Sequence, residues 1–390
     1  MVPGVTLAMM SGVGAQNLVD QEVTARWRSG PIAIDPMLSV GDIGWDSNVF
    51  NDADEEKSDF TLTVTPRAVA RLRLPAVTLV ADSQVDFVHF AKFASERSMD
   101  ADHQVGAELL IGSLTLGAFG SHADARRRVN SEIDSRSRRI TRAMGLHAGV
   151  QFSGVTSLRF AVERTRVEFD SHETFDGANL SERLNRDDHL ASATLRYAAT
   201  PLTTFVVNGD VQRLRFLHLP HRDADSVRVL PGVEFDVLAV LNGRALVGFR
   251  SLRGRADGLP PFRGLVGSVD LTYPYRPGTR FTVSFDRDVR YSYRNDEPYY
   301  VLTGWGGSVR QGFADAWNIQ ARAAFERIDY QGADEIRSPD VVVRYSAQLS
   351  RELTASSQFV IDASIRRRHS PVSYRHYRGL QIYASATYGF

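Results

Sequence analysis

Arginines and carboxylates recur at alternate positions through much of this chain, and that spacing limits the chemistry they can do. On the polar face of each alternating run lie Arg67, Arg71, Arg73, Arg159, Arg196, Arg228, Arg244, Arg250, Arg310, Arg322, Arg344 and Arg366. The same face carries Asp82, Asp86, Glu108, Glu163, Asp210, Glu234, Asp236, Asp270, Asp286, Glu326 and Asp362. Charges at this density need water or partners. One reading is structural: cross-strand Arg–carboxylate pairs brace a wide sheet. The other is functional: guanidinium forks guide carboxylate or phosphate groups along a charged passage. The first is favoured, and both can hold together.

Other chemistry is poorly represented. There is no cysteine, which removes disulfides and thiolate metal sites. Nucleophilic catalysis needs a hydroxyl beside a base. Of the ten histidines, His147 alone sits within a patterned run, without a Ser–acid pair nearby in sequence. No catalytic residue, metal ligand or cofactor is expected. The acidic run Asp52 to Glu56 offers oxygen ligands but is read as a solvated loop. Arg126 to Arg128 and Arg136, Arg138 and Arg139 read as loop clusters able to meet lipopolysaccharide phosphates or an anionic polymer. A formal net charge of zero argues against a nucleic-acid partner.

What must position these charges is sheet. From Phe60 the chain reads FTLTVTPRAVARLRL: Phe60, Leu62, Val64, Ala68, Ala70 and Leu72 share one face, and Thr61, Thr63, Thr65, Arg67, Arg71 and Arg73 the other, with Val69 the exception. The pattern recurs to the last run, where Leu380, Ile382, Ala384, Ala386, Tyr388 and Phe390 alternate with Gln381, Tyr383, Ser385, Thr387 and Gly389. Only the stretch Pro36 to Trp45 is poorly patterned. Connections alternate between short turns, such as Pro75, Gly112-Ser113 and Asn242-Gly243, and long polar loops, such as 46–58, 123–139 and 170–187. Such asymmetry marks transmembrane barrels.

No window reaches eighteen apolar residues, so a helical span is excluded, and no helical segment could cover the apolar face of a soluble sheet. The expectation is an all-β protein: a single transmembrane, antiparallel up-and-down barrel of about eighteen strands, sixteen being the alternative. Residues 32–390 form the barrel, 16–31 a periplasmic segment and 1–15 the remnant of a signal peptide ending near Val13-Gly14-Ala15. Outward aromatics fall in two girdles: Phe152, Tyr197, Phe205, Tyr273, Phe281, Trp317, Phe359 and Phe390 near the short turns; Phe60, Phe87, Tyr299 and Phe325 near the long loops.

Three segments resemble a known family. GDIGWDSNVF (41–50) followed by SDFTLTVTP, then GLVGSVDLTY (264–273), then FDRDVRYSYRNDEPYYVLTG (285–304) are similar to outer-membrane β-barrel porins associated with exopolysaccharide and capsule loci. Tyr388-Gly389-Phe390 resembles the C-terminal aromatic signal that such barrels present to their insertion machinery. The resemblance implies a bacterial outer-membrane channel serving polysaccharide export and brings no catalytic residue. The expected function is therefore a non-enzymatic conduit for an anionic exopolysaccharide. A general diffusion porin and a barrel-embedded lipid or polysaccharide hydrolase are the alternatives. Expected partners are outer-membrane lipid and lipopolysaccharide, the insertion machinery through Phe390, an acidic polysaccharide and periplasmic export components.

Overall fold

A computed structural model describes residues 27–390 except 237–239, 257–258, 315 and 333–337. The signal-peptide reading and most of the periplasmic segment lie outside the described residues. Eighteen long strands make the wall. They are β1 (Ile32–Asp46), β2 (Asp59–Arg73), β3 (Val77–Phe90), β4 (Ser98–Ile111), β5 (Leu114–Arg128), β6 (Arg136–Ser153), β7 (Thr156–Phe169), β8 (Arg186–Thr200) and β9 (Thr203–Phe216). Then follow β10 (Ala224–Phe235), β11 (Asn242–Gly254), β12 (Phe262–Arg276), β13 (Thr279–Tyr291), β14 (Tyr299–Phe313), β15 (Trp317–Gln331), β16 (Asp340–Thr354), β17 (Ser357–His369) and β18 (Tyr377–Gly389). Each pairs antiparallel with its sequence neighbours. β1 also pairs with β18, Met37 opposite Gly389 and Trp45 opposite Ile382, and this closes the sheet.

Alternation places the apolar residues outside. Leu146 is 60% exposed, Phe160 54% and Val162 53%, values that would be an aggregation hazard in water and that suit a surface facing hydrocarbon. The weak pattern of β1 has a local cause. The register slips between Val40 and Ile43, where Asp42 adopts φ +50°. Pro36, Leu38 and Val40 therefore point outward before this bulge, and Ile43 and Trp45 after it. Even residues give way to odd ones, so no single period spans the strand. Gly44 permits the crowding that follows: a Cβ there would lie 1.9 Å from the Ile382 carbonyl oxygen.

Connections at one rim are short, mostly two or three residues, and at the other they are long. The segment 170–185 holds a short helix, α1 (Leu180–Leu184), capped by the Asn179 side chain, which accepts from the Ser181 and Glu182 amides. Three expectations are corrected. The 123–139 loop is shorter than expected, because the ladder runs to Arg128 and resumes at Arg136; Arg126 stands opposite Arg138, and Arg128 opposite Arg136. Asn242-Gly243 is not the turn but the start of β11, where Gly243 pairs with Phe235 at φ +119°. Tyr299 is only 2% exposed. It packs against Phe262 and Leu259 under a loop and so joins no exposed girdle.

The register predicts unequal tolerance of charge. Ala321 faces outward near mid-wall, so Ala321→Arg is expected to cost roughly 2–4 kcal/mol, and Gln320→Arg, facing the lumen, much less. Equal losses in folding free energy measured into lipid vesicles would reject this register.

Candidate functional site

The inward face divides into two unequal parts. On β9 to β13 the arginines are neutralised. Arg228 donates from Nε to Asp210 at 2.8 Å and from Nη1 to Asp288 at 2.9 Å. Arg250 donates to the other oxygen of Asp288 at 2.7 Å and to Ser226 Oγ at 2.8 Å, and reaches Gln212. These side chains are buried. Next to them Arg196 grips Glu234 with both arms, at 3.0 and 3.2 Å. Across the barrel Arg67 donates to Asp82 at 2.9 Å. These pairs are the structural ladder. Because Asp288 serves two guanidiniums, Asp288→Asn should destabilise the barrel by about 3–5 kcal/mol, the cost of leaving buried charge unpaired. A loss below 1 kcal/mol in urea unfolding would show that the network is solvated.

On β13 to β17 positive charge is in excess. Arg280 stands directly opposite Arg310, and Arg344 opposite Arg366, both on the lumen side. Among the described residues neither Arg322 nor Arg344 has a hydrogen-bond or ion-pair partner. Arg310 reaches Asn318 at 3.2 Å and the Glu352 carboxylate at 4.0 Å, and Arg366 lies over the Tyr377 ring. Like charges directly opposed across a ladder repel unless an anion joins them. Of the sites expected from sequence, the structure brings Arg159, Arg196, Arg228 and Arg244 together around one small wall cavity of about 90 Å³. It leaves Arg67, Arg310, Arg322 and Arg344 elsewhere on the wall. Arg71 is buried, and Arg73 is exposed at the end of β2. His147 is buried on the lumen side with Nε2 3.7 Å from Glu108. Among the described residues no three acidic or histidine side chains converge as a metal site. In the acidic run Asp52 accepts the Asp54 and Glu55 amides, which lowers its pKa, and Glu56 pairs with Arg378.

Sequence reasoning missed the mouth. The segment 129–135, between β5 and β6, folds inward, and its tip residue Glu132 is fully buried. Ser292 Oγ, from the segment between β13 and β14, donates to Glu132 at 2.6 Å. Those two hairpins lie eight strands apart in an eighteen-strand wall, so this bond spans the bore. Arginines hold the tip by its backbone. Arg368 donates to the Ser131 carbonyl at 2.9 Å and to Asp134 at 2.8 Å, and pairs with Asp340. Arg375 donates to the Glu132 carbonyl at 3.0 Å and to Tyr330 at 3.1 Å. Arg222 ties the Arg183 and Pro298 carbonyls together. Ile133, Leu180, Leu184, Phe169 and Tyr293 pack into one apolar cluster, with Arg375 over the Tyr293 ring. Glu132, Arg222, Ser292, Tyr293 and Arg375 sit in unpatterned loops, and Phe169, Tyr330, Asp340 and Arg368 at the loop ends of strands, so no periodicity announced their meeting.

Burial raises the Glu132 carboxyl from its ordinary 4.5 to about 7, against the opposing pull of the Ser292 hydrogen bond and of Arg375, Arg368 and Arg222. A carboxyl held protonated when docked but free to ionise when released favours the docked tip at low pH. That advantage is full below about 4.5 and is lost as pH rises through about 7. Channel openings in planar bilayers should therefore become more frequent from pH 5 to pH 8, and Glu132→Gln should remove the dependence. Openings that decline over this range would contradict the assignment.

A closed antiparallel sheet with an apolar exterior, a charged lumen and loops gathered at one mouth defines a transmembrane β-barrel channel of the outer membrane. The chain belongs to the family described as "Putative beta-barrel porin 2", whose model matches residues 27–390. No curated protein sequence matches it. Among solved structures it is similar to a BenF-like porin from Pseudomonas fluorescens Pf-5, with 10% identity, a TM-score of 0.53 and coverage of 92% of this chain and 98% of that one. It is also similar to the outer membrane protein opdK from Pseudomonas aeruginosa, with 9% identity, a TM-score of 0.51 and coverage of 92% and 98%. OccAB3 from Acinetobacter baumannii gives 9% identity, a TM-score of 0.51 and coverage of 92% and 99%. At such identities the likeness concerns the fold.

Proposed function

We propose that this porin is a gated conduit for an anionic polymer, with an acidic exopolysaccharide as its cargo. The carrying observation is the excess of lumen guanidiniums on β13 to β17: Arg280 opposed to Arg310, Arg344 opposed to Arg366, and Arg322 between them. A polyanion drawn along this strip relieves repulsion at successive steps, and each contact stays weak enough to release. Low-dielectric walls focus the field of such a strip. The paired wall on β9 to β13 keeps the bore in shape. The sequence resemblance to porins of exopolysaccharide and capsule loci supports the cargo class, and periplasmic export components would deliver the chain. The exposed Phe390 ring, edge-on to Tyr388, suits the expected contact with the insertion machinery.

A second reading, a general diffusion porin, is favoured by the family itself. Ion and oligomer selectivity separates the two. With residues 130–134 replaced by a Gly-Ser linker to open the mouth, the reversal potential under a KCl gradient should report anion preference. Uronic-acid oligomers should block current more strongly than neutral ones of equal length. Arg322→Gln combined with Arg344→Gln should reduce both effects, and salt near 1 M should mask them, where the Debye length is about 3 Å. Cation preference, or equal block by neutral oligomers, favours the diffusion porin and overturns the conduit.

A further inference from the structure

The outward wall of β6 to β9 carries a second set of arginines that the lumen does not use. Cross-strand partners form rungs that can be followed around the barrel. One outward rung runs Leu146, Val162, Ala191, Val211 and Val227, and it is apolar throughout. The next rung toward the long loops runs Met144, Arg164, His189, Arg213 and Asp225. The rung beyond runs His122, Arg142, Arg166, Asp187 and Arg215. Rungs on one face are two residues apart, about 7 Å along the strand. The apolar surface therefore gives way to guanidinium within one step, as expected where acyl chains meet headgroups.

We propose that this patch binds a phosphorylated glycolipid of the outer leaflet, its phosphates held by Arg142, Arg164, Arg166 and Arg213. Protein carboxylates leave those four guanidiniums short of negative charge. Glu168 serves Arg142 at 2.5 Å and Arg166 at 3.8 Å, while Asp187 serves Arg164 at 3.2 Å and Arg166 at 3.4 Å. Arg213 has no partner among the described residues, because its cross-strand neighbour Asp225 is taken by Arg215 and Arg255. Arg142 and Arg166 stand directly opposed and share the single Glu168 carboxylate, which leaves the pair with net positive charge. Arg142 is 50% exposed, Arg164 47% and Arg166 38%, so their outer donors remain available. Phosphate accepts two parallel N–H bonds from one guanidinium, and neighbouring strands about 4.8 Å apart let adjacent arginines share it. The rim is the one with long loops, so the lipid belongs to the outer leaflet. The chemistry is phosphate joined to an acylated sugar: acyl chains lie on the apolar rung and phosphates on the two charged ones.

Native mass spectrometry of the full-length barrel tests this, with synthetic diphosphorylated lipid A as probe and the same lipid without phosphates as control. The wild type should retain the phosphorylated lipid roughly tenfold more strongly, a difference of about 1.4 kcal/mol. Arg142→Gln, Arg164→Gln, Arg166→Gln and Arg213→Gln combined should abolish the difference, whereas Arg351→Gln, over Trp317 at the opposite rim, should keep it. If the fourfold variant does not fold to the heat-modifiable barrel, Arg164→Gln with Arg213→Gln, which leaves the Glu168 bridges intact, is read in its place and should lose most of the preference. Equal retention of the two lipids by the wild type, retention unchanged in the folded variants, or displacement by millimolar inorganic phosphate would overturn the assignment to a lipid.

Discussion

Every backbone amide and carbonyl that enters hydrocarbon must find a partner within the protein, and the rest of this structure depends on that constraint. An unpaired peptide group in lipid costs several kcal/mol. A sheet meets the requirement only when it closes, and the junction of β1 with β18 removes the last edge. Closure makes the two faces of every strand unequal at once: one meets acyl chains, the other encloses the lumen. The bulge at Gly41-Asp42 belongs to the same constraint. It alters which residues of β1 face outward while the strand stays hydrogen-bonded on both sides.

The lumen holds one residue type in two settings. On β9 to β13 each buried guanidinium meets carboxylate, hydroxyl or amide oxygen, and Asp288 holds two arginines at once. Such pairs fix neighbouring strands at the cost of desolvation, and their worth lies in what breaking them would expose. On β13 to β17 the arginines outnumber their acceptors, and their charge is left facing the bore. Bracing pairs are thus gathered on one arc of the circumference, and the opposed arginines on which the proposed conduction rests lie on another.

The long loops close over this bore by a different device. Arg222, Arg368 and Arg375 donate chiefly to backbone carbonyls of neighbouring loops. A planar guanidinium with several donors can satisfy carbonyls that no sheet or helix serves, which allows irregular backbone to be buried. The Glu132 carboxyl lies among three such cations, yet burial outweighs their attraction. The mouth is held by guanidinium-to-carbonyl bonds and by the Ser292–Glu132 contact, while the barrel wall is held by the backbone ladder.

Period-two alternation determined the barrel class, the strand number and the orientation of nearly every strand side chain, because lipid and lumen impose opposite polarity on successive residues. Arg280 was equally legible by the parity of Arg280, Thr282 and Ser284 against Phe281, Val283 and Phe285, although it escaped the sequence reading. Tertiary structure alone decided which arginines are neutralised, since Arg228, Asp210 and Asp288 lie on three strands and their meeting depends on register, stagger and curvature. It alone decided that Glu132 crosses the mouth to Ser292, 160 positions away in the chain. Loops carry no periodic signal because neither lipid nor a ladder constrains each of their residues. Their contacts are set by which hairpins closure brings face to face, and the linear order of residues does not encode that.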